Sequence, residues 1–373
     1  MFSIFRYLIY FAVIYTMVRH RNLWKCTKLP MVIYWIIQIL FFANYYTIAF
    51  GRSSIYSNET VFTVMSVIAG IYFMYFLYAG YITLVFDLIA KVILRKKGGR
   101  ILTFMRNPAR GLLFILCFTL LLGVAGVFGI RSKRFVDYEI TVDKKTELNQ
   151  LKIAAIADAH MGTGVTRKGI TRIVEKINEA NVDVVILDGD FFDHSSTESL
   201  KKHAASELAK LKSTYGTYFI KGNHERYLEG EEYPEDYFRD AGIPVLLDDV
   251  VEIADGITII GRRDFSDNPL PLNLLMKEVD QTRPVIVVQH RPIEYDEVLA
   301  AGADLVICGH THGGQYPFGN IGTGSVNDQN YGLMKNGSFH AVTTSGIGGW
   351  GVPIKLPYIS EIVLITINFA NQL

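Results

Sequence analysis

Apolar positions fall into two regimes along this chain. Up to about residue 130 they run almost unbroken, in stretches at 2–18, 31–50, 61–94 and 111–130. A helix that crosses a bilayer needs roughly 20 mostly apolar residues. The pattern therefore predicts four membrane-spanning helices, at about 2–18, 31–50, 61–90 and 111–130. The first is the shortest. No small-residue cleavage site follows Val18 and further apolar stretches come after it, so it reads as a retained helix rather than a signal peptide. Residues 131–150 carry scattered charges and read as a linker. Beyond them the apolar runs shorten and begin to alternate in period. Strand-like runs at 152–157, 182–187, 216–220, 244–247, 257–260, 284–288, 304–308 and 341–344 are interleaved with helix-spaced segments at 166–178, 200–211 and 293–300. A last apolar run spans 361–367. Strands alternating with helices predict an α/β domain over 151–373, with the later strands forming a second sheet packed on the first.

Charge adds an orientation. Arg19, Arg21, Lys25 and Lys28 follow the first apolar stretch, and Lys91, Arg95, Lys96, Lys97, Arg100, Arg106 and Arg110 precede the fourth. The intervening loop carries only Arg52, with Glu59. Basic loops stay in the cytoplasm, which predicts a multi-pass protein of the cell membrane with everything after Ile130 outside. The net charge of +1 gives no reason to expect a nucleic-acid partner. The cysteines, Cys26, Cys117 and Cys308, have no disulfide or zinc-knuckle spacing, and Cys308 is expected to point into a sheet core.

The chemistry is concentrated in five short blocks, each at the end of an apolar run. They are Asp158-Ala159-His160, Gly189-Asp190-Phe191-Phe192-Asp193, Gly222-Asn223-His224-Glu225, Gln289-His290-Arg291 and Gly309-His310-Thr311-His312. Carboxyl ends of strands in α/β sheets are where binding sites collect. Carboxylate, amide and imidazole together suit two divalent ions at one site: Mn, Fe, Zn or Co, with no cysteine to favour zinc. Two such ions roughly 3.5–4 Å apart can share a hydroxide that attacks a phosphate ester in line. His20, His194, His203 and His340 lack a strand-end context and read as structural or surface residues.

The blocks and their order resemble the calcineurin-like metallophosphoesterase superfamily over about residues 150–367. The Gly309–Gln315 stretch and Ser345-Gly346-Ile347-Gly348-Gly349-Trp350-Gly351 look like its membrane-anchored bacterial phosphodiesterase branch. The resemblance implies a four-layer α-β-β-α sandwich. It also implies a first metal held by Asp158, His160 and His312, Asp190 bridging both ions, and a second metal held by Asn223, His290 and His310. His224 would face the phosphate and assist the bridging hydroxide, and Asp193 would sit behind it, orienting His224. Because the spanning helices keep the two-metal site near the membrane, the expected partners are the lipid bilayer and a phosphate-ester substrate, with phosphodiester or pyrophosphate bonds of lipid head groups or envelope precursors. The segments 225–240 and 313–339 are candidates for a rim that selects it, and Arg262 and Arg263 read as surface charges or as a second anion contact. Two other readings are a cytoplasm-facing hydrolase of UDP-diacylglucosamine type, which needs inverted topology, and a non-catalytic, metal-dependent sensor of a phosphorylated ligand.

Overall fold

The computed structural model describes Tyr15, Arg21 and residues 30–50, 58–92, 108–228, 233–317 and 319–372. The chain divides into two compact units, with the second running continuously from Gly129.

The first unit holds three long helices among its described residues: α1 (Met31–Phe50), α2 (Glu59–Val92) and α3 (Pro108–Arg131). All three are long and apolar enough to cross a membrane. At 1.5 Å per residue, the 20 residues of α1 reach about 30 Å, the thickness of a hydrocarbon core. Ile39, Leu121 and Phe128 stay exposed on them, which suits lipid rather than water. Polar side chains tie α1 to α2: Tyr72 donates to the Gln38 carboxamide at 3.0 Å, and Asn44 donates to the Met65 carbonyl at 3.0 Å. The helix expected at 2–18 lies outside the described residues.

The second unit is α/β. Its strands are β1 (Lys133–Thr146), β2 (Gln150–Ile156), β3 (Val184–Asp188), β4 (Thr217–Ile220), β5 (Val245–Leu246), β6 (Asp249–Glu252), β7 (Thr258–Gly261), β8 (Val285–Val288), β9 (Leu305–Cys308), β10 (Gly332–Asn336), β11 (Phe339–Thr343) and β12 (Ser360–Gln372). They form two six-stranded sheets, ordered β1-β12-β2-β3-β4-β5 and β10-β11-β9-β8-β7-β6. Both are mixed. In the first only β12–β2 is antiparallel, and in the second the two edge pairs are. Helices α4 (Arg167–Glu179) and α5 (Glu198–Leu208) connect the parallel strands, each opened by a threonine cap, Thr166 or Thr197.

Three buried clusters account for the strand patterns. Alternate residues of both sheets, such as Ile153, Ala155, Ile186, Ile259, Ile286 and Ile307, share one core. The opposite faces of β2 and β3 pack with Ile170, Ile173, Val174 and Ile177 of α4 and with Leu200 and Leu208 of α5. Val285, Val287, Val306 and Cys308 share the third with Leu272 and Met276, so Cys308 does point into a core. Parallel strands buried on both faces read as unbroken apolar runs, which is why they were legible.

The segment 131–150 is not a linker. Residues Lys133–Thr146 make a 14-residue strand paired in parallel with β12. Ile140, Val142 and Thr146 turn inward while Glu139, Thr141 and Lys145 turn out. That period of two was masked by the density of charge on the solvent face. Likewise β10 occupies part of the stretch expected to be a Gly- and Asn-rich loop, as a half-exposed edge strand.

Candidate metal centre

The ends of β2, β3 and β4 in one sheet and of β8 and β9 in the other deliver all five blocks to one place. Asp158 and His160 follow β2, and Asp190 follows β3. Asn223 and His224 open the short helix α6 (Asn223–Leu228), directly after β4. His290 follows β8, and His310 and His312 follow β9. Asp158, His160, Asp190, Asn223, His290 and His312 are buried. Five of these residues leave their strands in the left-handed region, with φ of 56° at Asp158, 41° at His160, 54° at Asp190, 70° at His310 and 53° at His312. Such backbone costs about 1–2 kcal/mol per non-glycine residue and collects at functional sites. Gly222 is required by close approach: a Cβ there would lie 2.6 Å from the Asp190 nitrogen.

Donor atoms converge in overlapping groups. One ligand atom each of Asp158, His160 and His312 lie within 4.8 Å of one another, as do those of Asp190, His290 and His310. A third group, His160, Asp190 and His224, meets the same limit and joins the two. His160 Nδ1 donates to Asp193 at 2.9 Å, and His290 Nδ1 donates to the Asp188 carbonyl at 2.8 Å. Each ring therefore turns its Nε2 toward the carboxylates: His290 Nε2 lies 2.9 Å from Asp190 and 3.8 Å from Asp158. His160 Nε2, His312 Nδ1 and Asn223 Oδ1 are buried without a hydrogen-bond partner. Orphaned donor atoms of this kind are unusual in a folded interior.

The electrostatics lead the same way. Burial, helped by Asp190, pushes the Asp158 carboxyl up to about 6, and burial pushes Asp188 well above the carboxylate range. Burial, with neighbouring imidazoles, lowers His310 to about 3 and holds His312 and His224 below the ordinary value, leaving all three neutral near pH 7. Burial opposes charge on His160 and His290 too, but Asp193 outweighs it at the first and Asp190 at the second, raising both. Crowded buried carboxylates faced by neutral or displaceable imidazoles are a donor set that fits divalent cations.

Several side chains differ from expectation. Asp193 pairs with His160, not His224. His224 is instead fixed through its backbone, which donates to Asp190 Oδ1 at 2.7 Å. Its ring stands edge-on to His160 and beside Tyr227 and Trp350. Glu225 is fully buried and accepts the backbone N–H groups of Asp190, Phe192 and Gly222 at 2.9–3.0 Å, joining two of the blocks. Arg262 is not a surface charge: it is 2% exposed, donates to Gln289 at 2.9 Å and lies over the Phe265 ring. Arg263 is half-exposed and pairs with Asp248. Of the expected rim, Phe238 is core, stacked on Phe219 at 3.8 Å, whereas Tyr227 and Tyr233 are exposed; Trp350, outside those segments, is exposed too. Phe318 lies outside the described residues. Lys355, fully buried behind Asp158, was missed. Its signal was an isolated cation in the apolar run Val352-Pro353-Ile354-Lys355-Leu356-Pro357.

The calcineurin-like phosphoesterase family matches residues 151–314. The chain is similar to an uncharacterised metallophosphoesterase of Helicobacter pylori, 29% identical over 72% of this chain and 75% of that protein. It is also similar to a Danio rerio transmembrane protein with a metallophosphoesterase domain, 30% identical over 66% of this chain and 61% of that one. Among solved structures, a dimetal phosphatase from Danio rerio aligns with a TM-score of 0.38 at 13% identity, over 59% of this chain and 92% of that one.

Proposed function

The chain carries a calcineurin-like metallophosphoesterase domain, and from that premise we propose that it is a membrane-anchored two-metal phosphoesterase acting outside the cytoplasm on phosphodiester or pyrophosphate bonds of lipid head groups or envelope precursors. The observation that carries the reading is the pair of three-residue groups, Asp158–His160–His312 and Asp190–His290–His310, in each of which one ligand atom per residue lies within 4.8 Å of the others. Two divalent ions held there, with Asn223 completing the second site and Asp190 shared, would supply Lewis acidity and a water ionised near neutral pH. The catalytic domain is read as the unit from Gly129 onward, and its three buried clusters as the interfaces of a four-layer sandwich.

The chain's own residues do the rest. Asp193 keeps the proton of His160 on Nδ1, and the Asp188 carbonyl does the same for His290, so both Nε2 lone pairs face the site. Glu225 holds the Asp190 and Asn223 loops in register. His224, neutral through burial, donates its ring N–H to a phosphoryl or leaving-group oxygen as charge grows there. Trp350 and Tyr227 beside it offer an aromatic contact to the leaving group. Membrane anchoring is supported by the three long apolar helices, of which α3 is separated from β1 by Ser132 alone. The side of the membrane rests on the distribution of Lys and Arg.

The test is turnover by the detergent-purified chain of p-nitrophenyl phosphate, bis-p-nitrophenyl phosphate and a membrane lipid extract, with Mn²⁺, Zn²⁺ or EDTA, beside His224→Ala. Metal-dependent turnover lost in the variant is the expected result. Two bound ions with no hydrolysis of any substrate would move the reading to a phosphate-binding sensor.

A further inference from the structure

The turn Ser345–Gly348 forms the wall behind Asp158. The Ile347 nitrogen donates to the Ala157 carbonyl at 2.9 Å. A Cβ on Gly346 would lie 2.6 Å from the Asp158 Cβ, and one on Gly348 would lie 2.7 Å from the Asp158 carbonyl oxygen. The wall is thus in direct contact with the backbone that carries Asp158 and His160 in their left-handed conformations. Small displacements of the turn must be felt at those two side chains, because no space separates them.

Two buried charges hold this turn. Lys355 is the only fixed charge between Lys335 and Glu361 in the sequence, and it is fully buried. Its ammonium donates to the carbonyls of Ser345, Gly346 and Gly348, the last two at 2.8 and 3.1 Å. All three of its protons are therefore directed at one turn. Glu361, also fully buried, accepts the Ser345 N–H at 2.9 Å and the Thr344 hydroxyl at 3.0 Å, while its other oxygen takes the Tyr331 hydroxyl at 2.9 Å. Burying an ammonium and a carboxylate costs several kcal/mol per ion before pairing, and an apolar residue would hold a fold as well or better. A turn whose carbonyls converge needs donors that an apolar residue lacks.

We propose that Lys355 and Glu361 are a positioning pair that sets the Asp158–His160–His312 group for its metal ion by clasping the Ser345–Gly348 turn. The proposal rests on the two-metal reading above. Lys355 touches neither substrate nor metal; it acts through the turn and Asp158.

The test uses the full chain in detergent and compares native protein with Lys355→Met, Glu361→Gln and the double variant. Mn²⁺ stoichiometry and affinity are measured by equilibrium dialysis, the remaining site by the Co²⁺ visible spectrum, and folding by the thermal midpoint. Native protein binds two ions. Lys355→Met keeps one and holds the other 10–100-fold more weakly, the cost expected of a lost partner of a metal-ligand residue. The Co²⁺ spectrum of its remaining ion matches that of His312→Ala rather than His310→Ala. KM is unchanged, and excess metal restores kcat. The double variant, which leaves neither Lys355 nor Glu361 as a buried charge and frees only the half-exposed Arg134 from Glu361, regains thermal midpoint but not the second ion. The proposal is overturned if Lys355→Met binds both ions as tightly as native protein, if both are weakened alike, or if the double variant regains metal and stability together. Should Lys355→Met not fold, the double variant decides the matter by the same criterion. A native chain that binds no divalent metal would instead sink the two-metal reading itself.

Discussion

Replacing Asp193 with asparagine tests how the site presents His160. The carboxylate has two tasks. One oxygen accepts the Ser195 N–H and hydroxyl at 2.7 and 2.6 Å, and the other receives His160 Nδ1 at 2.9 Å. Burial opposes its charge, but the hydrogen bond and charge of His160 outweigh this and hold it at about 2, against 3.8 when unperturbed. That difference corresponds to about 2.5 kcal/mol at neutral pH. The stability is fully present above 3.8 and lost as pH falls through about 2. Asparagine can keep the Ser195 bonds only by turning its NH₂ toward His160. Nδ1 must then accept, the ring proton moves to Nε2, and the atom that faces Asp158 and His312 loses its lone pair. Asp193→Asn is therefore expected to weaken one metal ion by 10–100-fold and to lower the metal-free thermal midpoint by about 5–10 °C, at 2–4 °C per kcal/mol for a unit of this size. Metal titration and calorimetry in detergent measure both. A variant with metal affinity within twofold of native would refute the tautomer argument, whatever its stability.

Three further outcomes follow from the same geometry. His224→Ala should lower kcat by about 10²–10⁴ with both ions retained; loss of metal from this variant would make His224 a ligand. Glu225→Ala strands three buried N–H groups, each costing about 1–3 kcal/mol, so the metal-loaded midpoint should drop by at least about 5 °C, and an unchanged midpoint would mean that Glu225 joins nothing. Because His160 and His290 hold their protons above the ordinary imidazole value in the metal-free chain, binding must expel them. The rise in midpoint on adding Mn²⁺ should grow from pH 6 to pH 8, and a flat or falling profile would contradict proton release.

What could be read from the sequence, and what could not, divides along a physical line. Strands such as Val285–Val288 and Leu305–Cys308 announce themselves because burial on both faces leaves an unbroken apolar run, and the five blocks at strand ends carry unusual residue types in a local frame. Asp158, His160, Asp190, Asn223, His224, His290, His310 and His312 were all read that way, and the structure gathers ligand atoms of all but Asn223 into overlapping groups. Residues that act across sequence distance left no such mark. Asp193 could face His160 or His224, and only the fold decides. Arg262 looked like its exposed neighbour Arg263 until burial separated them. The strand Lys133–Thr146 hides its alternation behind the charges of its solvent face, and its partner β12 lies more than 200 residues away in the chain.

Lys355 and Glu361 are the sharpest case. Nothing local explains a lysine between Ile354 and Leu356, yet its three acceptors all lie on the one turn that touches Asp158. A site built from left-handed aspartate and histidine backbones stores strain in the very residues that must hold still. Hydrogen bonds from ordinary loops would let that strain relax outward. A buried charge pair resists this, since moving the turn would strand an ammonium or a carboxylate without partners, a loss of about 3–5 kcal/mol. The clasp is therefore expected to govern both stability and, through Asp158 and His160, the affinity of one metal ion.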